Sequence, residues 1–285
     1  MRNNEDRTGS RDHDQSVPTQ ATNQSSDNAF SFATPTEFVE LPTKGIYYPE
    51  GHPLHNKEDI EIRYMTAKDE DILTSQSLIR KGIAVERLLQ NIIVDKAINV
   101  KDLFIGDRNA ITIAARITGY GEEYKTNVLC PSCGNSSEYH FDLNNFKTYS
   151  GEIPEKFENR IEKTPSGNCI ITVPASEVKV EVKLMTGNDE EYLNQLAENK
   201  RKNNLPETSL TDQFMRMIVS VNGDSSNSMR SSFISHMPAR DSKFLRRIYG
   251  DIVPNIDTTQ HYICASCNFQ QDMEVPFTTE FFWPR

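Results

Sequence analysis

Long apolar runs are missing from this chain. No stretch reaches the roughly 18–20 residues that a membrane-spanning helix needs, and no charged-then-apolar leader opens it, so neither a membrane span nor a secretory signal is expected. Basic residues are also scarce. With 31 Lys and Arg against 41 Asp and Glu, the formal net charge is −10, which opposes a general nucleic-acid role because duplex affinity draws on basic surface. The signatures of common catalytic machinery are absent as well: there is no Gly-x-Ser-x-Gly elbow, no phosphate loop ending in Gly-Lys-Ser/Thr and no His-Glu-x-x-His. Gly119-Tyr120-Gly121 lacks the third glycine of a dinucleotide loop and leads into a strand rather than a helix. The acidic runs 68–71 and 189–191 suit helix starts, where the positive end of the helix dipole favours them. His52 and His55 flank Pro53 in a turn rather than sharing a helical face. No enzymatic activity is expected.

What the chain does contain is five cysteines in a telling pattern. Cys130-Pro131-Ser132-Cys133-Gly134 and Cys264-Ala265-Ser266-Cys267-Asn268 are two CxxC turns, each bracketed by β-prone residues: 126–129 and 138–141 around the first, 259–263 and 271–275 around the second. A CxxC at a hairpin tip aims both sulfurs at one point, and two such knuckles supply the four thiolates of a tetrahedral zinc. In a reducing cytoplasm, paired CxxC motifs read as metal ligands rather than as structural disulfides. The expected cofactor is therefore structural Zn2+ on Cys130, Cys133, Cys264 and Cys267. Cys133 and Cys264 lie 131 positions apart, whereas the pairs of an ordinary zinc ribbon lie within roughly 15–20 residues, so a shared metal would join two distant parts of the protein. Three alternatives stay open: two separate sites completed by His140 or His261, redox-active pairs, and a relic without metal. Neither CxxC opens a helix, where the dipole would lower a thiol pKa, which weakens the redox reading. The fifth cysteine, Cys169, sits beside Ile170 and Ile171 and reads as a small buried hydrophobe.

Around the knuckles the sequence looks duplicated. Residues 60–73, IEIRYMTAKDEDIL, match VEVKLMTGNDEEYL from Val180: an alternating strand, Met-Thr, then an acidic helix start. Each copy then runs through helices to a CxxC hairpin, with insertions in the second near 205–209 and 222–228. Thr66 is placed to cap the first helix, and further helices are expected near 85–98 and 107–117. In the second copy, strands are expected at 170–173 and 178–185, with helices at 189–202, 210–221, 229–236 and 241–249. The fold class is thus α+β, two tandem strand-helices-hairpin repeats that each end in a CxxC knuckle. The expected boundaries are a polar, disordered N-terminal arm at 1–36, with Phe30 and Phe32 as possible anchors, and a loop-rich lead-in at 37–59. The first repeat follows at 60–143, a polar linker at 144–168, the second repeat at 169–276 and an aromatic tail at 277–285. The tail carries Phe281, Phe282, the sole tryptophan Trp283, and Pro284. Adjacent aromatics at a terminus either fold back onto their own domain or insert into a neighbour, and these four are the candidate partner-binding residues.

Taken together, Leu41-Pro42-Thr43-Lys44-Gly45 with Tyr48-Pro49, Ile62-Arg63-Tyr64-Met65-Thr66 leading into Asp69-Glu70-Asp71-Ile72-Leu73, Ala115 to Gly121 running into the first knuckle, and the Phe281-Phe282-Trp283-Pro284 ending give the chain a family likeness. It resembles the T-even-type bacteriophage baseplate proteins, over about residues 37–285. The resemblance implies a non-enzymatic tail baseplate hub or baseplate-assembly protein that works through contacts with other hub proteins or the tape-measure protein. Its place would be the host cytoplasm during assembly and the virion tail baseplate. The strand-Met-Thr-acidic-helix element also looks like a feature of tail assembly chaperones, so a transient chaperone for the tape-measure protein is one alternative. A zinc-ribbon regulator that binds nucleic acid is another, from a different class; it requires salt-dependent DNA binding.

Overall fold

In the computed structural model the described residues are 34–164, 166–277 and 281–282. The N-terminal arm, including Phe30 and Phe32, lies outside them, as do Trp283 and Pro284. Every strand pairing is antiparallel, and each sheet is small.

The first part begins with β1 (Thr36–Glu40), which pairs with β2 (Asp59–Arg63) across a loop rich in Pro and Gly. Helices α1 (Ala67–Thr74), α2 (Gln76–Arg80), α3 (Ala84–Ile92) and α4 (Ile105–Tyr120) follow. Strands β3 (Glu123–Leu129) and β4 (Ser136–Asp142) then form the first knuckle hairpin, and a short β5 (Lys147–Tyr149) comes after it. The second part opens with β6 (Ile161–Lys163), β7 (Cys169–Thr172) and β8 (Lys179–Val182), followed by α5 (Gly187–Lys202) and α6 (Ser209–Met217). It continues with β9 (Ile218–Val221), α7 (Asn227–His236), α8 (Ala239–Ile252) and β10 (Asn255–Asp257), and closes with the second knuckle hairpin, β11 (Thr259–Ile263) and β12 (Gln270–Glu274). The α+β class is as expected.

The two parts repeat specific bonds. Ile93, at the end of α3, bridges Ile62 of β2, and Ile218, at the end of α6, pairs with Val182 of β8. Thr66 and Thr186 each form a capping box with the aspartate three positions on, Asp69 and Asp189. Both aspartates are buried and cation-paired: Arg63 lies 2.7 Å from Asp69 and Lys183 lies 2.9 Å from Asp189.

Two further aspartates occupy the third position of α4 and α8, and each holds the hairpin loop of its own part. Asp107 accepts from the Thr43 N–H at 3.0 Å, the Thr43 hydroxyl at 2.6 Å and the Tyr48 hydroxyl at 2.7 Å. Asp241 accepts from the N–H groups of Ala175 and Ser176 at 2.7 and 3.0 Å and from the Ser176 hydroxyl at 2.8 Å. Both are fully buried, and neither has an ion-pair partner among the described residues. Burial pushes the Asp107 carboxyl up, against the pull of its three donors.

Two separate cores result, and the second hairpin packs into the first of them. Leu41, Ile60, Ile62, Leu88, Ile92, Ile111, Tyr124 and Phe141 belong to the first core, and so do Tyr262, Cys264 and Val275 from the C-terminal hairpin. The second core gathers the four-stranded sheet β6-β7-β8-β9 with Phe214, Met217, Leu245 and Ile248. The polar stretch 144–168 therefore does more than link. Its β5 pairs with β10, and its β6 is the edge strand of the second sheet. Residues 218–221, expected to continue a helix, instead form β9, because Ile218, Val219 and Val221 are β-branched and the segment finds β8 to pair with. Helix α4 approaches β10 so closely that a Cβ on Gly106 would sit 2.1 Å from the Pro254 carbonyl oxygen, so a side chain at 106 would push the parts apart.

The cation-paired aspartates make a pH prediction. Burial alone would raise the Asp69 carboxyl, but Arg63, the N–H and hydroxyl of Thr66, and Asn91 overcome it and hold it at about 2. A carboxyl with a depressed folded pKa contributes stability that is complete above its unfolded value of about 3.9 and is lost as pH falls through the folded one. The difference in urea midpoint between wild type and Asp69→Asn should therefore be largest above about pH 4 and close toward pH 2. A constant difference across that window would remove the Asp69 network as a source of acid sensitivity.

Candidate metal centre

The knuckles owe their shape to short-range backbone bonds, and the two are built alike. At the first, Cys130 N–H donates to the Asn135 carbonyl and Gly134 N–H to the Cys130 carbonyl, each at 2.9 Å. At the second, Cys264 N–H donates to the Phe269 carbonyl and Asn268 N–H to the Cys264 carbonyl, again at 2.9 Å. Both turns need a residue in the left-handed region after the second cysteine. Gly134 takes φ 70° and Asn268 takes φ 55°, and Asn is among the few non-glycine residues that visit that region readily. The departure from Cys-Gly to Cys-Asn thus preserves the turn.

The hairpins meet tip to tip. Asn135 Nδ2 donates to Ser266 Oγ at 2.7 Å, the Tyr139 hydroxyl donates to the His261 carbonyl at 3.2 Å, and the rings of Tyr139 and Tyr262 meet edge to face at 5.0 Å. This brings Cys130, Cys133, Cys264 and Cys267 together, with all four sulfurs within 4.8 Å of one another. Cys130 Sγ lies 3.7 Å from Cys267 Sγ, and Cys133 Sγ lies 3.8 Å from Cys264 Sγ. Sulfurs bonded at about 2.3 Å to one tetrahedral metal stand about 3.8 Å apart, whereas a disulfide needs about 2.05 Å. These two spacings match sulfurs around a shared ion and are far longer than a disulfide bond.

Burial alternates around the cluster: Cys130 and Cys264 are buried, while Cys133 and Cys267 are exposed. The inner pair packs into the first core and the outer pair caps the site from solvent. Backbone N–H groups of Cys267 and Ser266 pull the Cys264 thiol down. At Cys267 the Phe269 N–H also favours the thiolate, yet desolvation and the three neighbouring sulfurs push that thiol up. These opposed shifts are what four crowded sulfurs produce without a compensating charge. A divalent cation bound there would resolve them by holding all four as thiolates.

The histidines that could have completed separate sites are occupied elsewhere. His140 Nδ1 lies 2.7 Å from a Glu123 carboxylate oxygen and His261 Nδ1 lies 2.9 Å from Asp272. His55 Nδ1 donates to the Tyr48 carbonyl at 2.6 Å, and His52 stacks on Tyr48. Among the described residues the four cysteines form the one cluster of three or more ligating side chains. Cys169 is buried in the second core, where burial pushes its thiol up.

Of the four candidate docking residues, Phe281 and Phe282 are among the described ones. Phe281 and Phe282 are 5% and 4% exposed and belong to the first core, so these two rings fold back onto their own chain. Phe281 meets Tyr124 edge to face at 5.3 Å, and its carbonyl accepts from Arg116 Nε. Arg116 is the group that the sequence reading passed over. Its guanidinium is almost fully buried and donates to the carbonyls of Phe281, Gly121 and Glu123. It lies over the Tyr120 and Phe281 rings at 5.6 and 5.8 Å, and burial lowers its pKa.

The geometry defines an α+β protein whose two knuckle hairpins carry a four-sulfur cluster able to bind a metal ion. The chain belongs to the family of T4 bacteriophage base plate proteins, which matches residues 47–283. Leu41 to Gly45 lies just ahead of the matched span. No curated protein and no solved structure matches it. The matched span covers β2 through both knuckles and reaches the aromatic ending, so the whole cluster falls inside it.

Proposed function

We propose that this chain is a non-enzymatic component of a contractile-tail baseplate, used in its hub or its assembly, whose architecture is two tandem repeats joined at one structural zinc. Residues Cys130, Cys133, Cys264 and Cys267 would hold the ion, and a site of four thiolates leaves no open position for a substrate. The observation that carries the reading is the meeting of two sulfur pairs from hairpins 131 positions apart, which suits a frame that must keep its shape while partners load on it. The tandem relation is supported by the paired capping boxes and by the bonds of Asp107 and Asp241 to their respective loops. Work is done by protein contacts with other baseplate or tape-measure proteins, in the host cytoplasm during assembly and then in the tail.

Quantitative mass spectrometry of purified tails tests this. The expected result is the chain at a fixed copy number in finished tails. Its presence in assembly intermediates and absence from finished tails would replace the component with a transient chaperone.

A further inference from the structure

One cleft outside the cysteine cluster combines features that the proposed role leaves unused. It is about 390 Å³ and lies between α4, β10, the end of β12 and the aromatic segment, lined among others by Ile113, Ile256, Asp257, Glu274, Phe277 and Phe281. Its walls come from both parts of the chain: Ile113 from α4, Asp257 and Glu274 from beyond α8. Its floor is rigid, because Ile113 and Phe281 are core residues and Asn109 Nδ2 donates to Asn255 Oδ1 across the α4–β10 junction at 3.1 Å.

Two properties specify an occupant. Phe277 is 48% exposed although its ring meets Phe281 at 4.7 Å and Phe146 at 6.1 Å, so a large aromatic is held in place with much of its surface uncovered. Beside it stand two carboxylates. Asp257 accepts from the Thr259 N–H at 2.9 Å and Glu274 ends β12, and neither has an ion-pair partner among the described residues. Among the described residues no Lys, Arg or His lines the cleft. An aromatic surface next to unpaired carboxylates attracts a cation from two directions, by ring quadrupole and by charge.

We propose that this cleft docks a basic side chain of a partner polypeptide, an arginine or lysine adjacent to an aliphatic or aromatic residue, with the cation on Phe277 between Asp257 and Glu274 and the apolar neighbour against Ile113 and Ile256. The inference rests on the proposed function in one respect, that the occupant is a polypeptide. The cleft spans the α4–β10 junction, so a partner seated there would bridge segments that are far apart in the chain.

The test is to pan a displayed random peptide library on the full-length chain as purified, then measure the enriched peptides by fluorescence anisotropy. The expected enrichment is a basic residue next to an apolar one. Asp257→Asn and Glu274→Gln should each weaken binding by up to about fivefold, the upper end for a solvent-accessible ion pair, and added salt should do the same. Phe277→Ala should weaken it further, with unchanged circular dichroism and urea midpoint as the fold control. Peptides without a basic residue, or peptides indifferent to Asp257→Asn and Glu274→Gln, would overturn the proposal. Binding that appears only in a Trp283→Ala, Arg285→Ala double variant would also overturn it, by assigning the cleft to the chain's own end. None of these outcomes alters the mass-spectrometric result from tails, so the two readings fail separately.

Discussion

Cys130→Ser and Cys264→Ser should each abolish metal binding and collapse both knuckle hairpins, including the hairpin that keeps its two cysteines. Each substitution removes an inner, buried sulfur, one from each hairpin, and three thiolates with a buried hydroxyl no longer form the closed tetrahedral set. Structural zinc binding is worth about 10–16 kcal/mol in small peptides, comparable to or above the about 5–15 kcal/mol that holds a typical domain together, so the loss is large. It should nonetheless stop short of separating the two parts. They are also joined by β5 and β10, by Ile105 N–H to the Met185 carbonyl at 3.1 Å, and by Gly187 N–H to the Leu103 carbonyl at 3.0 Å. Hydrogen exchange should therefore show protection lost in β3, β4, β11 and β12 while the second core, around Val180, Phe214 and Leu245, keeps its own. Uniform loss throughout the chain would make the metal the sole joint. Unchanged protection in the hairpins would remove it as a joint at all.

Arg116→Met should cost several kcal/mol and release the aromatic ending. The guanidinium serves three backbone carbonyls from three places: the end of α4, the start of β3 and the C-terminal segment. Leaving a buried acceptor unpaired costs about 1–3 kcal/mol, a penalty that falls mainly on the Phe281 carbonyl, and methionine also forfeits the two part-buried bonds to Gly121 and Glu123. The carbonyl of Phe281 is the most dependent on Arg116, because Gly121 and Glu123 lie next to solvent-accessible turns while Phe281 is in the core. The variant should show a lower denaturant midpoint and rapid carboxypeptidase trimming past Phe282. Arg116→Lys, with one compact cation in place of the forked donor, should recover only part of the loss. A variant that keeps both the midpoint and the protease resistance of wild type would show that the Phe281 and Phe282 rings hold the segment by packing alone.

What could be read from the sequence was what depends on neighbours in the chain. The knuckles, the Thr66 cap with its aspartate, and the strand from Ile60 are local: a turn geometry, an N-terminal hydrogen bond, an alternation of faces. The cysteine set was legible for the same reason, since a CxxC between β-prone flanks constrains its sulfurs before any tertiary structure forms. What was illegible depends on partners far away. Ile218 to Val221 continues the apolar spacing of α6, and only the presence of β8 turns it into a strand. Lys147 to Tyr149 is polar and three residues long, with no strand signal until β10 lies beside it. Arg116 sits in a helical stripe of apolar residues and reads as a solvent-facing charge unless the C-terminal carbonyl is known to arrive above it. Asp107 and Asp241 left a trace in hindsight, an aspartate three positions into each final helix, but their loop partners lie 64 and 66 positions away. The aromatic ending kept two possibilities open because burial at a terminus is decided by what it meets, here Tyr124 and Arg116.

Zinc-edge X-ray absorption on the purified full-length chain, with metal content from the same sample, tests the central claim most directly. One zinc per chain with four sulfurs at about 2.3 Å is the result expected of hairpins that share a single ion. Two partly filled sites with nitrogen or oxygen in the coordination shell, or a folded chain with no metal after preparation without chelator, would contradict it.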